Sequence, residues 1–186
     1  MVDKARAQAR QGDSDEELWS SYVEGGDEAL RELLGRYRDE LYWYLLLSTG
    51  RQQAAARHCV NVWEIVSRCR RPFEGFASFR SWLYAVATQN AVPATHPETF
   101  GLADLMEDLR RGPARSRLAR VFFCIADMRR ALRQPFLLVT VAKLSIAEAA
   151  KACNFTEERA AACIERACRV VSGSGLFAPG EGADEM

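Results

Sequence analysis

With 186 residues, 48% of them hydrophobic and 27% charged, the chain has the composition of an ordinary globular protein and enough length for two small cores. The 25 Lys and Arg equal the 25 Asp and Glu, so the formal charge is zero and a nucleic-acid contact must rest on local patches, not on a basic excess. No apolar run serves as a signal peptide or reaches a membrane span, and the six cysteines include no CxxC pair, which predicts a cytoplasmic protein with reduced thiols, no membrane partner and no zinc site.

In chain order, Ser14 opens SDEELW with Glu17 three residues on, the spacing of a capping box, and predicts a helix to about Glu24. Gly25 and Gly26 end it. Asp27 is expected to cap a longer helix, DEALRELLGRYRDELYWYLLLSTG, in which Leu30, Leu33, Leu34, Tyr37, Leu41, Tyr44 and Leu45 recur at helical spacing and Gly50 supplies the stop. A third helix, RQQAAARHCVNVWEIVSRCRR, is stopped by Pro72, and a fourth runs from Ser78 to Ala91 with Pro93 after it. His58 beside Cys59 is the only close His/Cys pair; neighbours on a helix point apart, so no metal site is expected.

Three prolines, two glycines and the acidic stretch ADLMEDL between Val92 and Arg117 predict a linker containing one short helix. Beyond it come ARSRLARVFFCIADM, RRALRQPFLLVTVAKL and two short helices joined by a turn at Asn154, SIAEAAKAC and FTEERAAACIERACRVV. Ser145 and Glu148 repeat the capping-box spacing, Thr156 is a good N-cap, and Asn154 tolerates a left-handed turn, which together outline a helix-turn-helix. The tail SGSGLFAPGEGADEM is glycine-rich and acidic and is expected to be disordered. The expected organisation is therefore a flexible N-terminus (1–13), a helical domain (14–92), a linker (93–117), a helix-turn-helix domain (118–172) and a tail (173–186).

The order of DEAL..LLGRYRDELY, FASFRSWLYAVA, a linker and LSIAEAAKACNFTEERAAACIERA resembles the extracytoplasmic-function (ECF) group of the sigma-70 family, over residues 14–92 and 118–171. Phe76, Phe79, Trp82, Leu83 and Ala87 fit the family's F..F..WL...A pattern, and Leu144, Ser145, Glu148, Ala150, Phe155 and Thr156 fit its helix-turn-helix. Arg133 lies where the family has an arginine after its LP element, although Met128 and Arg129 replace LP. The resemblance implies an all-α fold of two small helical domains, a sigma region 2-like four-helix domain and a sigma region 4-like helix-turn-helix domain. It implies core RNA polymerase and promoter DNA as partners, an anti-sigma factor or other regulatory protein as a further one, and no cofactor.

Carried over by position, Arg57, Val60 and Asn61, with Glu64, are the contact to core polymerase or a protein partner. Arg80, Trp82, Tyr84, Gln89 and Asn90 fall where the family melts and holds the −10 element, and Thr156, Arg159, Arg166 and Arg169 where it reads the −35 element. The sequence departs from the family at each surface. Arg57 stands at an aspartate position, and with Arg51, Arg68, Arg70 and Arg71 against Glu64 it makes the helix basic. After the Trp-Leu pair, Gln89, Pro93 and THPE occupy the ground where the family has an Asn, an Asp four residues later and an arginine pair, and no arginine follows until Arg110. In the last helix Ala161, Cys163 and Cys168 replace basic residues, and Glu157, Glu158 and Glu165 balance Arg159, Arg166 and Arg169.

Phe76, Phe79 and Trp82 suit a base-stacking platform, but their helical spacing favours a core stripe. The arginines from Arg51 to Arg71, like Arg115, Arg117 and Arg120, read first as a solvated face and second as a nucleic-acid contact. No nucleophile motif, phosphate loop or acid–base pair is present, so no enzyme is expected. The sequence thus predicts an ECF-like factor that binds core polymerase and directs promoter-specific initiation. The alternative is a degenerate sigma-like protein that has lost promoter recognition and acts by binding another protein.

Overall fold

The computed structural model describes residues 12–71, 73, 75–90, 121–122 and 124–173, and every regular element among them is a helix. Helix α1 (Asp15–Val23) starts at the predicted box: the Ser14 hydroxyl accepts the Glu17 amide at 3.2 Å, and the Glu17 carboxylate accepts the Ser14 amide at 2.7 Å. Its apolar side chains Leu18, Trp19 and Tyr22 are buried. Helix α2 (Asp27–Thr49) corrects one expectation, because Gly26 is the N-cap and Asp27 the first helical residue. A Cβ at residue 26 would stand 2.8 Å from Ser21 Oγ, so the tight link from α1 requires glycine there, while Asp27 and Glu28 still oppose the positive end of the helix. Gly50 ends α2 in the left-handed conformation (φ 71°), as expected.

The buried face of α2 is Leu33, Tyr37, Leu41, Tyr44, Leu45 and Ser48, spaced three and four apart; Leu34, read with that stripe, instead lies on the exposed side. Helix α3 (Gln52–Arg68) stops at Cys69, whose extended backbone ends the helix before Pro72, a residue outside the described ones. Helix α4 (Phe79–Asn90) follows a small reciprocal cap in which the amides of Ser78 and Ser81 each donate to the other's hydroxyl. The expected linker with Pro93 and Pro97, its short helix, Arg115, Arg117, Arg120, and the N- and C-terminal tails lie outside the described residues.

In the second half, residues 121–122 and 124–127 are helical, and α5 (Arg130–Thr140) follows. Helix α5 ends at Thr140, and the chain then turns through Lys143 at φ 56°. Helix α6 (Ile146–Cys153) carries the second capping box, Ser145 with Glu148, and ends on Asn154 in the left-handed conformation (φ 56°, ψ 45°). Helix α7 (Glu157–Val171) starts with the Thr156 hydroxyl accepting the Arg159 amide at 3.3 Å. These three local signals are where the sequence placed them.

Helices α1 to α4 pack as one bundle, α1 on α2 and α4, and α3 on α2 and α4. Helix α7 packs on α5 and α6, and the second half closes onto the first, with α5 against α2 and α6 against α4. A single apolar cluster therefore runs through both halves, from Leu18, Leu33, Tyr44 and Phe79 to Phe136, Leu138, Ala149 and Val171.

Candidate protein and nucleic-acid interface

The sequence reading assigned three surfaces. The first, on α3, is open. Ala56, Val60, Trp63 and Ser67 follow one another every three or four residues and face Leu34, Arg38 and Tyr42 of α2 across a groove of about 640 Å³. Val60 stands 58% exposed on its wall, an apolar side chain facing water. Glu64 lines the same groove, while Arg57 and Asn61 are exposed on the adjoining stripe of α3. Two titratable neighbours are kept uncharged: burial, then the Arg57 charge, lowers the His58 imidazole below its usual range, and burial pushes the Cys59 thiol up to about 11. The floor is thus apolar and the rim mixed in charge, with Arg38 engaging Asp39 at 2.9 Å.

The second surface, on α4, is largely covered by the chain's own helices. Tyr84, expected to face a melted strand, is fully buried, and its hydroxyl donates to Glu40 at 3.0 Å. Burial first, and then the Glu40 charge, lifts its phenol well above the usual range. Arg80 turns inward: its Nη1 donates to Glu40 at 2.5 Å and to the Ala142 carbonyl at 3.0 Å, and its guanidinium lies 4.9 Å from the centre of the Tyr37 ring. Trp82 is half-buried with its ring 5.0 Å from Trp19 and 5.8 Å from Phe79, in the core stripe that the periodicity favoured. Asn90 returns its side-chain amide to the Val86 carbonyl at 2.8 Å. Of the five residues assigned to the −10 element, Gln89 alone is exposed.

The third surface is the helix-turn-helix. Thr156 is occupied as the cap of α7; Arg159, Arg166 and Arg169, at i, i+7 and i+10, share one exposed face. Arg159 lies 4.0 Å from the centre of the Phe155 ring, and Arg169 pairs with Glu165 at 3.4 Å. The cation density that reaches solvent is therefore less than three arginines suggest.

Sequence reasoning missed the polar groups that join the halves. The buried Tyr44 hydroxyl bonds Gln134 at 2.6 Å and Thr88 at 2.7 Å, and Arg130 Nη2 donates to the Thr88 carbonyl at 3.1 Å. Tyrosines inside a leucine stripe and a glutamine among the apolar positions of α5 were the available signal, since a buried phenol or amide needs a partner. Arg133 is largely buried with Nη1 on the Ala126 carbonyl at 3.0 Å, and burial, then Arg130, lowers its guanidinium pKa. Among the described residues no group of three or more His, Cys, Asp or Glu could hold a metal ion, and no helix is long and apolar enough to cross a membrane.

No protein-family model matches the chain, and no curated protein matches it. Eleven chains of solved structures do. One is the structure of CnrH in complex with the cytosolic domain of CnrY, similar at a TM-score of 0.66 and 20% identity over 87% of this chain and 96% of that one. The likeness is one of fold, an all-helical arrangement.

Proposed function

We propose that this chain is a sigma-70/ECF-like transcription factor of the cytoplasm that binds core RNA polymerase through the α2–α3 groove and directs promoter-specific initiation. In this reading residues 14–92 and 118–172 act as two modules joined by 93–117. The observation that carries it is the open groove: its apolar wall presents Val60 to water at the position that the family resemblance gives to polymerase contact, on a fold similar to that of CnrH. A facing helix would bury Val60, Leu34 and the edge of Trp63, and carboxylates on it would meet Arg57 and Arg68. The Arg159, Arg166 and Arg169 face of α7 would supply phosphate contacts at the duplex, and the chain itself performs no bond chemistry.

The experiment is recovery of the tagged full chain from its own host at moderate salt, with the retained proteins identified. The large polymerase subunits are expected with the wild type and are lost with Val60→Glu, which places a charge on the groove wall. A second reading, a sigma-like protein that binds a regulatory protein and no promoter, is favoured by the burial of Tyr84 and by the Arg169–Glu165 pair. CnrH itself is seen with a protein partner. Recovery of a small regulator with no polymerase would sink the initiation reading and leave this one.

A further inference from the structure

Positive charge gathers at the start of α5 without a carboxylate to balance it. Arg129 is the cap, Arg130 the first helical residue and Arg133 follows at i+3, while the first turn holds no acidic residue. That end of a helix is already its positive pole and disfavours cations. Arg133 is the more enclosed of the pair: its Nη1 donates to the Ala126 carbonyl at 3.0 Å, but its Nε is sealed from water and has no acceptor. Burial, and then the Arg130 charge, lower its guanidinium pKa, so the two cations oppose each other across one turn. Arg130 places Nη2 on the Thr88 carbonyl at 3.1 Å. Both acceptors are thus neutral carbonyls. Among the described residues no carboxylate forms an ion pair with either arginine, and Asp127, the acidic residue closest in sequence, is exposed.

A buried cation with an unmet donor, beside a like charge and at the positive pole of a helix, is unfavourable on three counts, and one bound anion relieves all three. Were packing all that position 133 required, an apolar side chain of similar volume would fill it without that penalty. The kind of anion follows from the donors. A guanidinium is a planar fork that matches the oxygens of phosphate, and two forks one helical turn apart suit an oxyanion with more than one charge. The Arg129 cap offers no side-chain acceptor, so the first amides of α5 stand by as further donors. We infer that Arg130 and Arg133 form an anion site for a small phosphate-bearing ligand, taken either as free phosphate or as the phosphate end of a nucleotide. The site is separate from the α2–α3 groove and from the arginine face of α7, and the inference needs neither.

The site is tested on the full chain with pyrophosphate and adenosine diphosphate as probes, ionic strength being held constant with chloride. Binding is followed by phosphorus NMR line width and by the melting temperature, which a ligand of the folded state raises. Pyrophosphate is expected to raise the melting temperature saturably. Arg130→Gln, at an exposed position, is expected to weaken that binding about tenfold or more, as the loss of a charged hydrogen bond implies. Arg133→Lys keeps the charge without the fork and should weaken it as well. If that variant fails to fold, Arg130→Gln carries the test. Arg71→Gln, an exposed arginine of the first half, should bind as the wild type does. Tighter binding of adenosine diphosphate assigns a nucleotide and equal binding assigns free phosphate; both uphold the site. Chloride stabilising as well as pyrophosphate, or equal losses in Arg130→Gln and Arg71→Gln, would reduce the effect to charge screening and overturn it. The proposal also falls if Arg130→Gln weakens binding of a mixed-sequence duplex and leaves pyrophosphate unmoved, since the arginines would then serve a nucleic-acid backbone.

Discussion

The groove between α2 and α3 and the inner face of α4 belong to one bundle, and both were assigned to partners from the sequence, yet they are in opposite conditions. On α4, Tyr84 is sealed from water and its hydroxyl, like those of Thr88 and Tyr44, has a partner within the chain. On α3, Val60 is more than half exposed, and Leu34 across the groove on α2 more than a third. A position in a family pattern therefore fixes where a surface lies, and the packing of the particular chain fixes whether it is finished. The α4 face packs against the second half of the same molecule; the α3 face is left open.

The sharpest way to break that contrast is Tyr84→Ala. It removes a fully buried ring and leaves Glu40 with one partner fewer, so a loss of about 3–5 kcal/mol is expected in urea unfolding. A loss under 1 kcal/mol, roughly that of a surface change, would mean that the α4 face is not sealed. Tyr44→Phe keeps the ring and leaves the buried Gln134 side-chain oxygen without its phenol donor; about 1–3 kcal/mol is expected from the same measurement.

Alkalinity probes the same burial without a mutation. Burial pushes Cys59 up to about 11 and Cys153 up to about 12, and lifts the Tyr37, Tyr44 and Tyr84 phenols above their usual range. These groups hold their protons in the folded chain while an unfolded thiol ionises near pH 8.5 and an unfolded phenol near pH 10. Their contribution is complete below those values and is lost as pH rises toward the folded ones, so the melting temperature should fall from about pH 8.5 toward pH 12. At pH 8 the exposed Cys168 should be alkylated well before Cys59 or Cys153; equal rates at all three would mean that the buried thiols reach water. The smallest effect on stability belongs to Val60→Glu, within about 0.5 kcal/mol, because the side chain is already in water. That variant should melt like the wild type while failing to retain its partner, which separates a binding surface from a structural one.

Much of the fold was legible because its signals are local. Ser14 with Glu17, Ser145 with Glu148, Asn154 and Thr156 each act over a single turn of helix, and each does what its residue type and spacing predict. Asp27 was displaced as a cap because the link from α1 brings residue 26 against Ser21, a contact that no local rule contains. The site was less legible for a physical reason. Tyr44 and Gln134 are 90 residues apart, and helical periodicity tells that each faces inward without telling toward what. Arg80 and Tyr84 were read by family position as facing a strand of DNA, whereas Glu40 and Ala142 claim them.

Helix α1 is bound to its neighbours almost wholly by residues that come later. Its Glu16 carboxylate accepts the amide of Phe79, 63 residues on, and its Trp19 indole donates to the Arg71 carbonyl, 52 residues on. At about 5–20 residues per second, the ribosome takes roughly 3 to 12 seconds to make the distance from Glu16 to Phe79. Through that interval α1 has its own capping box but lacks the α4 partners that complete its burial, and the indole and ring of Trp19 and Tyr22 stay available to whatever meets the nascent chain. A helix made early is thus among the last in its bundle to be secured, and the emergence of α4 sets the time at which this bundle can close.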